Sequence, residues 1–245
     1  MIWREDIGVS RSQMKANPAA IGDTYLHEED KAVAQIGTDI ESSIWASLTS
    51  ATGATGTNRV MKGLQNFITS NTAYPASLGA AATAGQLAAN DIGAMLQTIY
   101  TAGGSPDQIW ASPAGKRIMS NFTYPSQNRN IAATERTLVQ GVDQFLTDFG
   151  PMALILDRWV PQGSATTTAA AGATGASALT GRVFVLKRSN NRFAWYDPVH
   201  HDYMGRLGDS VNGIVVGEGT LEVLNEKTNG MILNVNNKSA LLGDA

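Results

Sequence analysis

Residues Tyr100 to Pro113, YTAGGSPDQIWASP, leave the backbone few choices. Gly103-Gly104 stops a helix, because glycine enters the left-handed conformation that closes a helix C-terminus without steric cost. Pro106-Asp107 makes a turn, Asp107 to Ala111 reads as a buried strand, and Ser112-Pro113 places an N-cap residue before a proline at the first helical position. A second stretch, Leu221 to Gly230, LEVLNEKTNG, reads as a half-buried strand that closes on an Asn-Gly turn. Neither stretch carries a reactive group, so the best-specified parts of the chain fix geometry.

At 245 residues the chain is one large domain or two modest ones, and either buries a real core. With 25 glycines and only 16% charged residues, the surface is built largely from small polar and apolar groups, which suits close contact with neighbours. A net charge of −3 excludes the basic footprint of a tight nucleic-acid binder. Zero cysteines exclude disulfides and thiolate metal sites and fit a reducing compartment. Met1 to Asp6 has neither the basic start nor the apolar run of a signal peptide, and no window approaches the roughly 18 consecutive apolar residues of a membrane span. The expectation is a soluble intracellular chain with no membrane partner.

Residues 1 to 15 read as a strand-like piece (Ile2, Trp3, Ile7, Val9) with no loop before it. From Asp23 to about Ser50, Leu26, Val33, Ile36, Ile40, Ile44 and Leu48 fall on one helical stripe, predicting a strut roughly 40 Å long. Ser50 to Asn58 is a small-residue loop; Gly56 is followed by Thr57-Asn58-Arg59, so a phosphate loop would lack its lysine. After an apolar piece (Leu64, Phe67, Ile68), a Gly/Ala/Thr linker marks a domain boundary near 82. Thr83 and Gln86 form a capping box for a helix carrying Ala88, Ile92, Met95 and Ile99, and Ser112-Pro113 opens another with Ile118, Met119 and Phe122. Val139 to Thr147 and Met152 to Asp157 flank a turn at Asp148-Phe149-Gly150-Pro151, predicting a hairpin. Gly163 to Gly181 is Ser, Ala, Thr and Gly, a mobile loop by composition. Val183 to Leu186 is expected to pair with Phe193 to Tyr196 across Ser189-Asn190-Asn191, and strands around Ile214 to Leu224 and Met231 to Val235 end the chain.

The search for chemistry returns little. His27-Glu28-Glu29-Asp30-Lys31 starts like a zinc helix but has lysine where the second histidine belongs. His200 and His201 are neighbours, which point to opposite faces of an extended strand and so do not chelate together. Gly217-Glu218-Gly219 lacks the third glycine of a dinucleotide fingerprint, no Gly-x-Ser-x-Gly elbow occurs, and the acidic pairs Glu28/Glu29 and Glu218/Glu222 read as wet faces. Exposed amides at the Ser112 helix start, with Lys116 and Arg117 nearby, could bind an anion, but an ordinary capped helix with basic residues on its wet side is the preferred reading. The sequons at Asn121 and Asn237 carry weight only on a secretory route. The expectation is no catalytic, cofactor-binding or metal residues and no enzyme.

Taken together, Tyr100 to Asp107 with its following strand, the hairpin at Val142 to Leu156, Tyr196-Asp197-Pro198, and Thr220-Leu221-Glu222-Val223 running into Asn225-Glu226-Lys227 make the chain resemble the major head (capsid) proteins of tailed double-stranded-DNA bacteriophages. The resemblance runs from about Ile7 to the C-terminus. It implies an α+β architecture, the tailed-phage and encapsulin capsid fold. In it, residues 1–82 form a peripheral domain with a spine helix at about 23–50, 83–204 an inserted axial domain, and 205–245 return strands of the peripheral domain. Relatives carry an N-terminal arm and an extended loop ahead of the spine helix; here a short stub precedes Asp23, so the chain is truncated, alternatively started or held by other lattice contacts. The covalent cross-linking of some relatives has no matching residues here.

What the resemblance implies is a structural protein that self-assembles, as hexamers and pentamers, into an icosahedral virion shell. Assembled in the host cytoplasm, that shell encloses DNA that it holds only weakly and non-specifically. Other implied partners are portal, scaffolding and decoration proteins. The alternative within the same fold is an encapsulin-like compartment around cargo protein; the remote one is an α/β enzyme with its anion site at Ser112.

Overall fold

The computed structural model describes residues 1–16, 22–46, 48–56, 58–75, 85, 87–120, 122, 142–161 and 181–235. In chain order the elements are β1 (Ile2–Ser10), α1 (Arg11–Lys15), α2 (Thr24–Trp45), α3 (Leu64–Phe67), β2 (Thr72–Ala73), α4 (Ala89–Thr101), β3 (Gln108–Ala111) and α5 (Pro113–Ser120). They continue with β4 (Gln144–Thr147), β5 (Gly150–Leu156), β6 (Gly181–Leu186), β7 (Asn191–Leu207), β8 (Ser210–Val223) and β9 (Gly230–Val235). The Thr83 and Gln86 capping box, the linker near 82, residues 163–180 of the Ser/Ala/Thr/Gly segment and both sequons lie outside the described residues.

Two compact units form, Met1–Asn66 with Arg192–Glu222 and Phe67–Asn191 with Val223–Ala245. These divisions differ from those near 82 and 204 read from the sequence. Thr72-Ala73 already belongs to the larger unit's sheet, and β7 enters the smaller unit's sheet well before residue 204.

In the smaller unit the sheet runs β1-β8-β7, with β1 antiparallel to β8 from Ile2↔Glu218 to Ser10↔Ser210. Alternation sends Trp3, Ile7, Val9, Val211 and Val215 to one face, where α2 packs, and Ile2, Arg4 and Asp6 to the other. Asp23 caps α2 by accepting from the amides of Tyr25 (2.9 Å) and Leu26 (3.4 Å), so the helix starts where the sequence places it. It stops at Trp45 instead of Ser50, giving 22 residues and roughly 33 Å. The reason lies downstream. Gln65 Nε2 donates to the Trp45 carbonyl, while the Gly63 amide (3.0 Å) and Asn66 Nδ2 (2.6 Å) donate to that of Leu48. A Cβ at Gly63 would sit 1.9 Å from the Ala46 carbonyl oxygen, so only glycine fits.

The apolar stripe of α2 also departs from expectation. Between the terminal Thr24 and Trp45, both buried, the buried positions are Tyr25, Ala32, Ile36 and Ser43, whereas Leu26 and Val33 are exposed and Ile40 and Ile44 half-buried. At 100° per residue the predicted stripe lies roughly 90° round the helix from the face that meets the sheet. Its hydrophobicity belongs to the helix flank.

The larger unit has a six-stranded mixed sheet in the order β2-β9-β6-β3-β5-β4, with β2/β9 and β3/β5 parallel and the other pairs antiparallel. All six residues of β6 are buried, Arg182 among them, and the apolar run Val183 to Leu186 suits a central strand. Ile92, Met95, Leu96 and Ile99 of α4 and Ile118 and Met119 of α5 share one core with Ile109, Val183, Val185 and Ile232 of the sheet. The α4 cap is half a capping box: the Asp91 carboxylate accepts from the Ala88 amide at 2.8 Å, and alanine offers nothing in return. The predicted hairpin forms between β4 and β5 across Asp148-Phe149, with Gly150 at φ 117°.

Two pairings read from the sequence are corrected. β6 pairs with β3 and β9, not with Phe193 to Tyr196, because its residues are buried throughout while β7 has the alternating exposure of a one-sided sheet. Asn229-Gly230 is not a hairpin turn either. The chain turns through a 3₁₀ segment at Glu226–Thr228, Asn229 is extended, and Gly230 opens β9 against β6 and not against β8.

Candidate functional site: the assembly surface

The two best-specified stretches meet in the larger unit. A Cβ at Gly104 would lie 2.8 Å from the Thr228 Cα and 2.7 Å from Ile99 Cγ2, so the second glycine of the helix stop exists for a backbone approach. Around that contact a polar knot closes. Asn229, fully buried, accepts at Oδ1 from the Lys187 amide (3.1 Å) and Asn191 Nδ2 (3.0 Å) and donates from Nδ2 to Asn191 Oδ1 (2.9 Å). Asn71 Nδ2 donates to the carbonyls of Lys227 (2.8 Å) and Asn229 (3.0 Å), and Asn190 Nδ2 to Thr228 Oγ1 (2.9 Å). Asp107 accepts from the Arg188 amide at 2.9 Å. The Asn225-Glu226-Lys227 turn is stapled to β2's approach, because the Glu226 carboxylate accepts from the amide of Thr69 (2.8 Å), the amide of Ser70 and the Ser70 hydroxyl (3.0 Å). Burial alone would raise the Glu226 pKa, but these donors outweigh it and hold it below the ordinary glutamate value. The knot's donors and acceptors are mutually engaged, which makes it a structural device.

The groups singled out for chemistry are likewise occupied. Ser112 is buried, its Oγ accepting from the Gly115 amide at 3.2 Å, while Lys116 Nζ bonds Asp143 Oδ1 at 2.9 Å. A helix start with its own cap and a paired lysine is an ordinary helix start. His200 and His201 point to opposite faces of β7. His200 Nδ1 donates to the Pro198 carbonyl at 2.9 Å, and that bond, with the Asp197 and Asp202 carboxylates near the ring, raises its pKa. His201 Nε2 is hydrogen-bonded to the Tyr25 hydroxyl at 2.8 Å, with Glu29 3.7 Å from Nδ1. Among the described residues no group of His, Asp and Glu is arranged to hold a metal. His27 takes no part in such a group.

Sequence reasoning missed the Tyr25–His201 clasp and the glycine that permits it. A Cβ at Gly213 would fall 2.0 Å from the Tyr25 hydroxyl and 2.7 Å from His201 Nε2, so α2, β7 and β8 interlock there. The three residues are far apart in the chain, and no local spacing announces them.

Several large apolar side chains point outward among charged ones. On β7, the edge strand of the smaller sheet, Tyr196 is 86% and Met204 63% exposed, on the face away from α2. The edge itself is guarded: Pro198 has no amide to offer, and the His200 ring occupies the Pro198 carbonyl. On α2, Leu26 is 56% exposed. In the larger unit, Leu146 on the outermost strand β4 is 82% exposed beside a cleft of about 250 Å³ between the start of α4 and the β4–β5 hairpin. Large side chains this exposed are candidates for contact with other molecules.

The fold has counterparts. The chain matches the SrpI encapsulin of Synechococcus elongatus with a TM-score of 0.63 at 10% identity, over 98% of this chain and 75% of the encapsulin chain. It matches the capsid protein of cyanophage A-1(L) with a TM-score of 0.62 at 11% identity, over 96% and 77%. The capsid of the Myoviridae phage XM1 gives 0.58 at 10% identity, over 96% and 73%. At such identities the likeness shows the shared α+β capsid and encapsulin fold. No curated protein sequence matches the chain. A family model described as the SU10 major capsid protein matches residues 1–236. That match spans nearly the whole chain, and the chain therefore belongs to the SU10 major capsid protein family, the shell-forming structural proteins of tailed-phage heads.

Proposed function

We propose that copies of this chain associate into the hexamers and pentamers of an icosahedral head enclosing double-stranded DNA. In this reading the unit built on α2 and the β1-β8-β7 sheet is the peripheral domain, with α2 as the spine helix, and the unit of the six-stranded sheet is the axial domain. The observation that carries it is the one-sided sheet of the smaller unit, which leaves Tyr196 and Met204 on an open face. Such a face gains stability from being covered by another molecule. A net charge of −3 fits a shell whose inner surface holds DNA weakly and non-specifically enough to release it. Portal, scaffolding and decoration proteins are the further partners this role calls for.

As a capsid protein the chain is structural and not an enzyme, and the Ser112 helix start plays no part in chemistry. Electron microscopy of the purified chain tests the proposal. Shells or capsomers with packaged DNA support it, shells filled with protein cargo would turn the reading to an encapsulin-like compartment, and a monomer at every concentration and salt would end it.

A further inference from the structure

The geometry points to the α4 and β4–β5 cleft as the socket of a head-to-tail contact that receives α1 of a second copy of this chain. The inference rests on the self-assembly proposed above. The socket mixes apolar and polar lining: Ile92 and Gly93 of α4 and Phe145, Leu146 and Phe149 of the hairpin supply the apolar part, Thr147 adds polar surface, and Asp148 stands exposed at its rim. Neither α4 nor the β4–β5 hairpin contains a lysine, arginine or histidine, and Asp148 is the acidic group at the cleft, since the Asp91 carboxylate is buried and accepts from the Ala88 amide. A concave cleft cannot fill itself, since two copies placed face to face would enclose a void, so its occupant is a different, convex part of the neighbour.

α1 has the complementary chemistry. Its sequence is RSQMK: every residue is exposed, Met14 projects from the helix at 39% exposure, and Arg11 and Lys15 flank it without an acidic residue. An unbranched, polarizable methionine suits an irregular cleft walled by Phe145 and Phe149, and a flanking cation would meet Asp148 at the rim. The contact joins unlike patches on successive copies, which is the kind that closes into rings.

The chain has no cysteine, so disulfide trapping is free of background. In a full-length variant carrying both Met14→Cys and Leu146→Cys, oxidation of assembled material is expected to give a ladder of covalent dimers, trimers and higher species, whereas either single variant gives at most dimers. Gly93→Leu supplies an independent readout. A Cβ at Gly93 meets nothing within 4 Å, so the side chain fills the socket without strain, and the variant is expected to melt no lower than the parent yet assemble poorly. Particles from the parent chain, with no ladder from the double variant and normal assembly of Gly93→Leu, would overturn the socket and leave the assembly proposal standing. Failure of the parent to assemble would overturn both.

Discussion

Strand β6 has six residues and all are buried; β7 has seventeen, and none of its described side chains is. The first sits mid-sheet in the larger unit over a core that needs no neighbour. The second edges a sheet covered on one face only. The two strands should therefore fail differently: damage to the buried one reads out as stability, damage to the open face of the other as assembly.

The largest effect is expected from Phe184→Ala, which empties a fully buried site in β6. Removing a buried aromatic costs about 3–5 kcal/mol, so chemical denaturation should show a large fall in midpoint. A loss under about 1 kcal/mol would mean that the larger unit's core is no better packed than the smaller unit's surface, and the contrast would collapse. Next comes Gly63→Ala in the smaller unit. The added Cβ would meet the Ala46 backbone oxygen at 1.9 Å, and the cost is about 3 kcal/mol because main chain must move. Hydrogen exchange should locate the loss at the last turn of α2, and unchanged protection there would break the assignment of Gly63 as its anchor.

These sites also show how far the sequence reaches. The Gly103-Gly104 stop, the Ser112 cap, the Asp148-Phe149 hairpin and the Asp23 start of α2 depend on neighbours within a few residues, and all were legible. Partners that are distant along the chain were not. The pairing of β6 with β3 and β9, the capping of α2 by residues 63–66, and the Tyr25–His201–Gly213 clasp follow from tertiary placement that no local spacing encodes. The α2 stripe shows a subtler limit. Periodicity reported real hydrophobicity at Leu26 and Val33 but could not say whether it faces the chain's own core or another molecule.

Within the larger unit, Asn229→Ala removes three side-chain hydrogen bonds from a fully buried residue and takes the partner from the Lys187 amide and Asn191 Oδ1, while Asn191 Nδ2 keeps its bond to the Lys187 carbonyl. The expected loss is about 2 kcal/mol by thermal melt, less than for Phe184 because no comparable volume is emptied. Glu226 contributes less again, and its contribution depends on pH. Its folded pKa is depressed, so the stabilisation is fully present above the unfolded value of roughly 4.3 and disappears as pH falls below that through the folded value. Solvent reaches the carboxylate, so the effect is expected to stay under about 1 kcal/mol. Glu226→Gln should flatten the stability profile below the ordinary glutamate value of roughly 4.3; an unchanged slope would show that the staple does not depend on charge.

The smallest effect on stability, and the sharpest test of the comparison, belongs to Tyr196→Ser on the open face of β7. With 86% of the side chain already in water, truncation removes almost no buried area, and the melting free energy should stay within about 0.5 kcal/mol of the parent. The same change takes from the assembled state whatever area a neighbouring copy covers, and burying an aromatic of this size is worth about 1.5–3 kcal/mol at each contact. Because a shell repeats the contact in every subunit, a loss too small to see in the monomer is multiplied in the particle. The expected outcome is a variant that melts like the parent but fails to form particles by sedimentation or microscopy. If particles form as readily as from the parent, Tyr196 faces solvent in the shell as well, and the partner-seeking surface of the smaller unit lies on the flank of α2, where Leu26 and Val33 would be the residues to change.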